Sequence, residues 1–113
     1  MTGRFLAEFE LYVMLAAGRL GDDAYGAAMR REIEERTGRP VSIGALYATL
    51  GRLEEKGLVT THPAPPEPGQ RGRPRKYCRL TPEGQSAVRH SSEMLRRMME
   101  GASWLTAPLE DGS

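Results

Sequence analysis

The segment from Val41 to Gly57, VSIGALYATLGRLEEKG, constrains the fold more than any other part of the chain. Its apolar residues recur at steps of three and four, which is the spacing of one side of an α-helix. These residues are Ile43, Leu46, Leu50 and Leu53. Ser42 stands where an N-cap is expected, and Gly57 stands where a helix ends. The sequence therefore predicts an amphipathic helix between Ser42 and Gly57.

The opposite side of this predicted helix carries only small residues, with Arg52 beside them. The small residues are Gly44, Ala45, Ala48 and Gly51. A surface helix with a purely structural role would favour longer polar side chains there. The acids Glu54 and Glu55 occur only in the last turns, so the first turns are free of negative charge. This pattern is typical of a helix whose first turns enter a DNA groove. The alternative is a helix packed on both sides within a small α domain.

The residues before Ser42 predict a second helix and a turn. Asp22 or Asp23 is expected to cap a helix over Ala24–Arg36, and Gly38 and Pro40 then end it. Two helices joined by a short turn that contains glycine, the second with a bare exposed face, form a helix-turn-helix. Arg39 lies outside both helices and is expected to meet a DNA phosphate.

After Gly57 the pattern changes to that of a β-hairpin. The predicted strands are Leu58–His62 and Arg75–Thr81, and the segment between them is rich in proline and glycine. A helix-turn-helix followed by a hairpin is a winged helix. The net charge is only +1, but basic residues concentrate around the hairpin tip. The predicted DNA contacts of this wing are Arg71, Arg73, Arg75 and Lys76, where glycine and proline allow close approach to a phosphate or a narrow minor groove.

Two further helices are predicted, one at each end of the chain. The first covers Arg4–Ala17 and has a broad apolar stripe, which suits either a central core helix or contacts with a second subunit. The second begins at Thr81-Pro82-Glu83 and runs to about Glu100, with weakly apolar residues in a heptad pattern. We expect homodimerisation through both helices. The predicted dimer contacts are Phe5, Phe9, Tyr12, Val88, Leu95, Met98 and Leu105.

Several functional classes are disfavoured by the composition. The chain has one cysteine, Cys78, which argues against a disulfide or a thiolate metal cluster, and no apolar run is long enough for a membrane span. The N-terminus lacks a signal-peptide pattern, so a cytoplasmic location is expected. His62 and His90 have no convergent partners, and we expect neither enzymatic activity nor a cofactor. A cationic neighbourhood could instead make Cys78 a redox sensor, although an inward-packed thiol is the commoner case.

Three motifs together make the chain resemble the PadR family of transcriptional regulators. They are VSIGALYATLGRLEEKGLV, GRPRKY and LTPEG, and the agreement in order and spacing runs from about Leu11 to Glu100. The resemblance implies a winged helix-turn-helix with a C-terminal dimerising helix, and a homodimeric repressor that binds palindromic operators. The length is similar to that of the subgroup with a single C-terminal helix.

The resemblance also implies site residues. Ser42, Gly44, Tyr47 and Arg52 match recognition-helix positions, and the four basic residues of the wing match as well. Two departures weaken any transfer of ligand specificity: the family's common His-Gly-Tyr is Ala24-Tyr25-Gly26 here, and the second of two tyrosines in the last strand is Cys78. Some relatives respond to phenolic acids or hydrophobic drugs, and nothing in this sequence fixes such an effector.

The predicted fold is thus mostly α with a small β-hairpin. Residues 1–81 are predicted to form the winged helix-turn-helix, 82–106 the dimerisation helix and 107–113 a frayed tail. The predicted function is sequence-specific binding of an inverted-repeat operator in double-stranded DNA by a homodimer, with half-sites about one helical turn apart. Ala48 and Thr49 complete the predicted recognition surface. A small hydrophobic effector at the Met-rich dimer interface is a further expectation, and a winged-helix module that binds protein rather than DNA is the alternative.

Overall fold

The computed structural model describes residues 6–64 and 75–108. Four helices and one hairpin follow one another: α1 (Glu8–Leu20), α2 (Gly26–Thr37), α3 (Ile43–Glu55), β1 (Val59–Ala64), β2 (Arg75–Leu80) and α4 (Pro82–Met99). Short 3₁₀ turns lie at Gly21–Asp23 and Ser103–Leu105. The prediction of a mostly helical chain with a small antiparallel hairpin is confirmed.

The core is formed by α1, α2 and α3 together with the base of the hairpin. Its largest fully buried side chains are Met14, Met29, Leu46, Leu50, Leu53, Val13 and Val59. Of the four apolar positions predicted to face inward from α3, three leucines do so, but Ile43 is 43% exposed. Ile43 is the first helical residue, directly after the Ser42 cap, so it lies at the end of the helix while the buried leucines lie in the later turns.

The hairpin pairs β1 with β2 in antiparallel register, from Val59 opposite Leu80 to Ala64 opposite Arg75. The segment before α2 pairs with the outer edge of β2 through a short bridge that the sequence did not predict. Tyr25 forms a bridge with Tyr77, and the amide of Cys78 donates to the carbonyl of Ala24 over 2.8 Å. The wing is therefore fixed to the start of α2 by backbone hydrogen bonds.

Predicted helix boundaries were wrong at two places. The first helix begins at Glu8, where the Glu10 carboxylate accepts the amide of the N-cap residue Ala7. It continues to Leu20, three residues beyond the predicted end at Ala17. Neither Asp22 nor Asp23 caps α2, whose N-cap is Tyr25 without a side-chain hydrogen bond. Asp22 instead accepts a hydrogen bond from Arg79 of β2 over 2.9 Å. The helical bounds therefore differ by a few residues, while the order of elements is as predicted.

The C-terminal helix has the predicted start and end, but its predicted dimer contacts extend beyond it. Thr81 caps α4 as predicted, with its hydroxyl accepting the Gly84 amide over 2.9 Å. The helix ends at Met99, close to the predicted end at Glu100, and the predicted dimer contact Leu105 lies beyond it in a 3₁₀ turn. Gly101, with φ +77°, follows the helix and takes a conformation that favours glycine. The dimerisation region predicted over 82–106 therefore includes residues that follow the helix.

The start of α4 is seated closely on the turn between α3 and β1. A Cβ atom built on Gly84 would lie 1.9 Å from the backbone carbonyl oxygen of Leu58. The same carbonyl accepts the amide of Thr81 over 3.1 Å, and the Thr81 hydroxyl donates to the carbonyl of Gly57 over 2.7 Å. Only glycine at position 84 permits this contact. The contact therefore fixes the position of the start of α4 relative to the winged helix.

Alanine at position 84 is expected to destabilise the protein although alanine is the better helix former. Helix propensity favours Gly84→Ala by about 1 kcal/mol, whereas the backbone overlap should cost enough to give a net loss of about 1–3 kcal/mol. The matched control is Gly51→Ala in α3, where no atom of the described part of the chain lies within 4 Å of the added Cβ. We expect the control to be neutral or slightly stabilising. Urea unfolding measures both, and equal stabilisation by the two substitutions would contradict this packing.

Candidate nucleic-acid interface

The candidate interface is centred on the exposed side of α3. The Ser42 hydroxyl accepts the Ala45 amide over 3.0 Å and so caps the helix. The preceding turn is fixed from α2, because the Glu34 carboxylate accepts the amide of Val41 over 2.8 Å. Gly38, with φ +72°, ends α2 in a left-handed conformation. The helix-turn-helix geometry is thus set by one cap, one carboxylate and one glycine.

The outer side of α3 is bare, as the sequence predicted. Its exposed small residues are Ser42, Gly44, Ala45, Ala48 and Gly51. At both Gly44 and Gly51 no atom of residues 6–64 or 75–108 lies within 4 Å of a built Cβ. Packing inside the chain therefore does not require glycine at either position. A flat helical surface that is not needed for internal packing is suited to close contact with another molecule.

Thr49 does not belong to this surface. Its side chain is buried, and its hydroxyl accepts a hydrogen bond from Arg52 Nη2 over 3.0 Å. The prediction that Thr49 contacts a base was wrong, because the hydroxyl lies on the inner side of the helix. Arg52 itself remains exposed, and its guanidinium is held near the surface of α3 by this hydrogen bond.

Tyr47 is half-buried and packs against the start of α2. A Cβ built on Gly26 would lie 2.4 Å from the Tyr47 hydroxyl oxygen. Gly26 therefore admits the tyrosine ring between α2 and α3. Two roles were open from the sequence, a phosphate contact and a packed tyrosine with an accessible hydroxyl, and this contact favours the packed role.

Arg39 lies in the turn between α2 and α3, where the sequence placed a phosphate contact. Its Nη1 atom is 3.3 Å from Glu8 Oε1, and both side chains are largely exposed. Exposed pairs of this kind contribute little to stability, so the guanidinium can exchange the carboxylate for another anion at small cost.

The described part of the wing contains two of its four predicted DNA contacts. Lys76 is exposed, whereas Arg75 is partly buried at the wing root with its guanidinium carbon 4.1 Å from the centre of the Tyr25 ring. Arg71 and Arg73 lie outside the described residues. The sequence grouped all of these cations together, but the structure gives Arg75 an environment of its own.

Comparison with known proteins decides the family. The model of the transcriptional regulator PadR-like family matches residues 14–90, which is more than half of the chain. The chain belongs to the PadR family.

Relatives of known name or structure agree with this assignment. A transcriptional regulator of Mycobacterium tuberculosis is 35% identical over 86 residues, covering 73% of this chain and 76% of the relative. The crystal structure of a PadR family transcriptional regulator from Eggerthella lenta is 30% identical, with a TM-score of 0.61 and 86% of each chain covered. RosR of H. salinarum is 31% identical, with a TM-score of 0.67, covering 87% of this chain and 81% of that one. The expectation of a transcriptional regulator rather than an enzyme is confirmed by the family.

The environment of Cys78 contradicts a thiol-based redox sensor in this PadR protein. The side chain is buried, and burial, together with the nearby Glu54 carboxylate, raises the pKa of the thiol to about 11. Redox-sensing thiols instead have a lowered pKa and are accessible.

Within residues 6–64 and 75–108, no group of three acidic, histidine or cysteine side chains is placed to hold a metal ion. Over the same ranges, no helix is long and apolar enough to cross a membrane.

The residues predicted to form the dimer interface divide into two groups. Phe9, Tyr12 and Val88 are partly buried and pack against the chain's own core. Leu95 and Met98 are exposed on α4, and Leu105 is exposed after its end. Phe5 lies outside the described residues. The exposed group is therefore the one with apolar surface free for a second subunit.

An ion pair between the buried Glu10 carboxylate and the exposed Lys56 side chain joins α1 to the end of α3. Lys56 Nζ lies 2.8 Å from Glu10 Oε2, and the Glu10 carboxylate also accepts the Ala7 amide. Burial raises the pKa of Glu10, but these two hydrogen bonds outweigh it and the net pKa is lowered. The pair was not predicted, since 46 residues separate its members.

Glu10→Gln is expected to lower the free energy of unfolding by about 1–2 kcal/mol at pH 7, because it removes charged hydrogen bonds from a mostly buried site. Since the folded-state pKa is depressed, this stabilisation is present above pH 4.5 and is lost as the pH falls through the folded-state pKa. The difference from wild type should therefore shrink below pH 4.5. Urea unfolding at pH 7 and pH 3.5 measures it, with the exposed Glu55→Gln as control. A difference that does not change with pH would contradict the assignment.

Proposed function

We propose that this PadR-family regulator binds duplex DNA by placing the first turns of α3 in the major groove. The observation that supports this most strongly is the outer side of α3, where none of the described residues packs over Gly44 or Gly51. A major groove admits an α-helix when no long side chain holds the helix away from the base edges. In the described turns of α3, the acids Glu54 and Glu55 lie at the far end.

The wing supplies the electrostatic part of the proposed interface. Exposed Lys76 lies in β2, and Arg71 and Arg73 precede it in the sequence. Cations near the DNA backbone release condensed counterions, which makes binding dependent on salt. Because the net charge is only +1, the attraction of DNA must come from this local concentration of basic residues.

Sequence discrimination by the proposed interface rests on few side chains. Arg52 and Ser42 remain as exposed candidates for base contacts after Thr49 is excluded. Arginine can bind guanine with two hydrogen bonds, but one such contact in each half-site specifies few base pairs. We therefore infer that DNA shape and deformability contribute much of the specificity.

We propose further that the protein is a homodimer held together by α4 and α1. The second half of α4 presents Leu95, Met98 and Met99 to solvent, and α1 presents Leu15. An open groove of about 570 Å³ lies between α1 and α2, with Tyr12 and Leu15 among its lining residues. Several large apolar side chains left exposed in a small protein typically mark an interaction surface.

Twofold symmetry then determines the operator. A dimer that presents two α3 helices and two wings requires an inverted repeat with half-sites about one helical turn apart. We propose that the protein acts in the cytoplasm as a repressor by occupying such a site.

The methionine residues of α4 are also adaptable enough to accept a small apolar effector at the subunit interface. The alternative, a winged-helix module for protein partners, shares the fold and dimer but would show no salt-dependent binding to duplex DNA.

Ala48→Glu tests the α3 surface. Ala48 is exposed, so the fold should be retained. A carboxylate facing phosphates should weaken binding by at least about 100-fold, the equivalent of a few kcal/mol of like-charge repulsion. Titration of a duplex selected from a random pool measures the affinity. The matched control is Ser86→Glu, which adds the same charge at an exposed position of α4. Equal affinity of the two variants would exclude this face as the DNA-binding surface.

Met98→Glu tests the dimer. Met98 is 81% exposed in the single chain, so glutamate should leave the subunit folded. Burying an unpaired carboxylate in an apolar interface is unfavourable, and we expect at least a tenfold weaker dimer in sedimentation equilibrium. Ser86 lies on the side of α4 opposite to its exposed apolar residues, so Ser86→Glu should leave the dimer intact. A monomeric wild type, or a Met98→Glu dimer of unchanged strength, would refute the proposed interface.

A further inference from the structure

Aromatic and cationic side chains meet where the wing joins α2. The Arg75 guanidinium carbon lies 4.1 Å from the centre of the Tyr25 ring, and Arg75 Nη1 is 3.4 Å from the Tyr77 hydroxyl. The Tyr25 and Tyr77 rings are in edge contact at 5.8 Å, and His62 stacks on Tyr77 at 5.7 Å with an interplanar angle of 16°. We call Tyr25, His62, Arg75 and Tyr77 the wing-root cluster.

The wing-root cluster lies at the backbone pairing between the start of α2 and β2. Tyr25 forms its backbone bridge with Tyr77, and the amide of the next residue, Cys78, donates to the carbonyl of Ala24. Arg31 of α2 also donates to the Tyr25 hydroxyl over 3.3 Å. Side chains and backbone therefore join the same two segments, the start of α2 and the base of the wing.

We propose that Arg75 is a positioning residue, which holds the wing at a fixed angle to α2 and α3, and that Lys76 makes the phosphate contact at the wing root. This inference rests on the proposed DNA binding and deepens it. Adjacent residues of a strand point to opposite faces. Arg75 uses its face to contact Tyr25 and Tyr77, whereas Lys76 is exposed.

The chemistry of the contact requires arginine. A guanidinium is planar, stacks on an aromatic ring and donates hydrogen bonds from several nitrogens at its edge, whereas an ammonium has the same charge without that plane. Arg75 can therefore lie over Tyr25 and reach the Tyr77 hydroxyl at the same time. A lysine at position 75 would keep the charge near DNA but lose the planar contact. This difference separates a positioning role from a simple phosphate contact.

The first experiment is independent of DNA and measures hydrogen exchange of the Cys78 amide in the full chain by NMR. Tyr25→Leu removes the ring on which Arg75 lies, and Tyr25→Phe retains it. We expect exchange at least tenfold faster in Tyr25→Leu and in Arg75→Lys, and exchange within about threefold of wild type in Tyr25→Phe. Thermal unfolding confirms that each variant is folded at the temperature used. Unchanged exchange in both Tyr25→Leu and Arg75→Lys would overturn the positioning role.

The second experiment measures DNA affinity over a salt series with a duplex selected from a random pool. Arg75→Lys should weaken binding about tenfold with an unchanged slope of log affinity against log salt, because the number of phosphate contacts is the same. Lys76→Ala should reduce the magnitude of the slope by about 0.9, the value for one lost contact.

The opposite pattern would overturn the inference: wild-type affinity in Arg75→Lys, together with a slope reduced by about 0.9 in Arg75→Ala. Wild-type protein that shows no salt-dependent binding would refute the proposed function instead. The exchange experiment would then decide the positioning role alone.

Discussion

The structure depends on the burial of three leucines along one side of α3. Leu46, Leu50 and Leu53 are almost fully buried against α1, α2 and the base of the hairpin. Burial of a leucine side chain contributes about 1.5–3 kcal/mol, so this side of the helix supplies enough stability to leave the other side without packing partners. Small residues on the outer side are tolerable only because the inner side is so well packed. The proposed DNA-binding face of α3 therefore depends on a difference in packing between the two sides of this helix.

The termini of the helices could be predicted where a single local interaction decides them. Ser42 and Thr81 cap α3 and α4 as expected, because an N-cap needs only one hydroxyl and an amide three residues later. Thr49 and Ile43 were misjudged because helical periodicity gives the direction of a side chain but not how far the neighbouring elements extend. Thr49 is buried, while Ile43, at the start of the helix, is exposed.

The charged residues illustrate the same limit at longer range. Arginines in a basic run look equivalent in the sequence, but Arg75 lies on a tyrosine ring and Arg79 pairs with Asp22, 57 residues away. Glu10 likewise pairs with Lys56 across the core. Such partners depend on how α1, α2 and the hairpin are arranged, and no local sequence pattern predicts them. A basic segment can thus be recognised from sequence as a candidate for nucleic acid, whereas the division of its members between support and contact requires coordinates.

The two ends of α4 explain why assembly and DNA recognition are coupled in the proposed dimer. At its start, Gly84 lies so close to the Leu58 carbonyl that the direction of the helix is fixed by the winged helix. At its end, Glu93 pairs with Arg96 and Arg97, which lowers the pKa of Glu93 to about 2 and keeps these charges together on the side away from Leu95 and Met98. A rigid start and an apolar second half mean that a partner docked on α4 would be held at a defined angle to α3. The spacing of the two α3 helices, and with it the spacing of the half-sites, would then follow from one glycine contact.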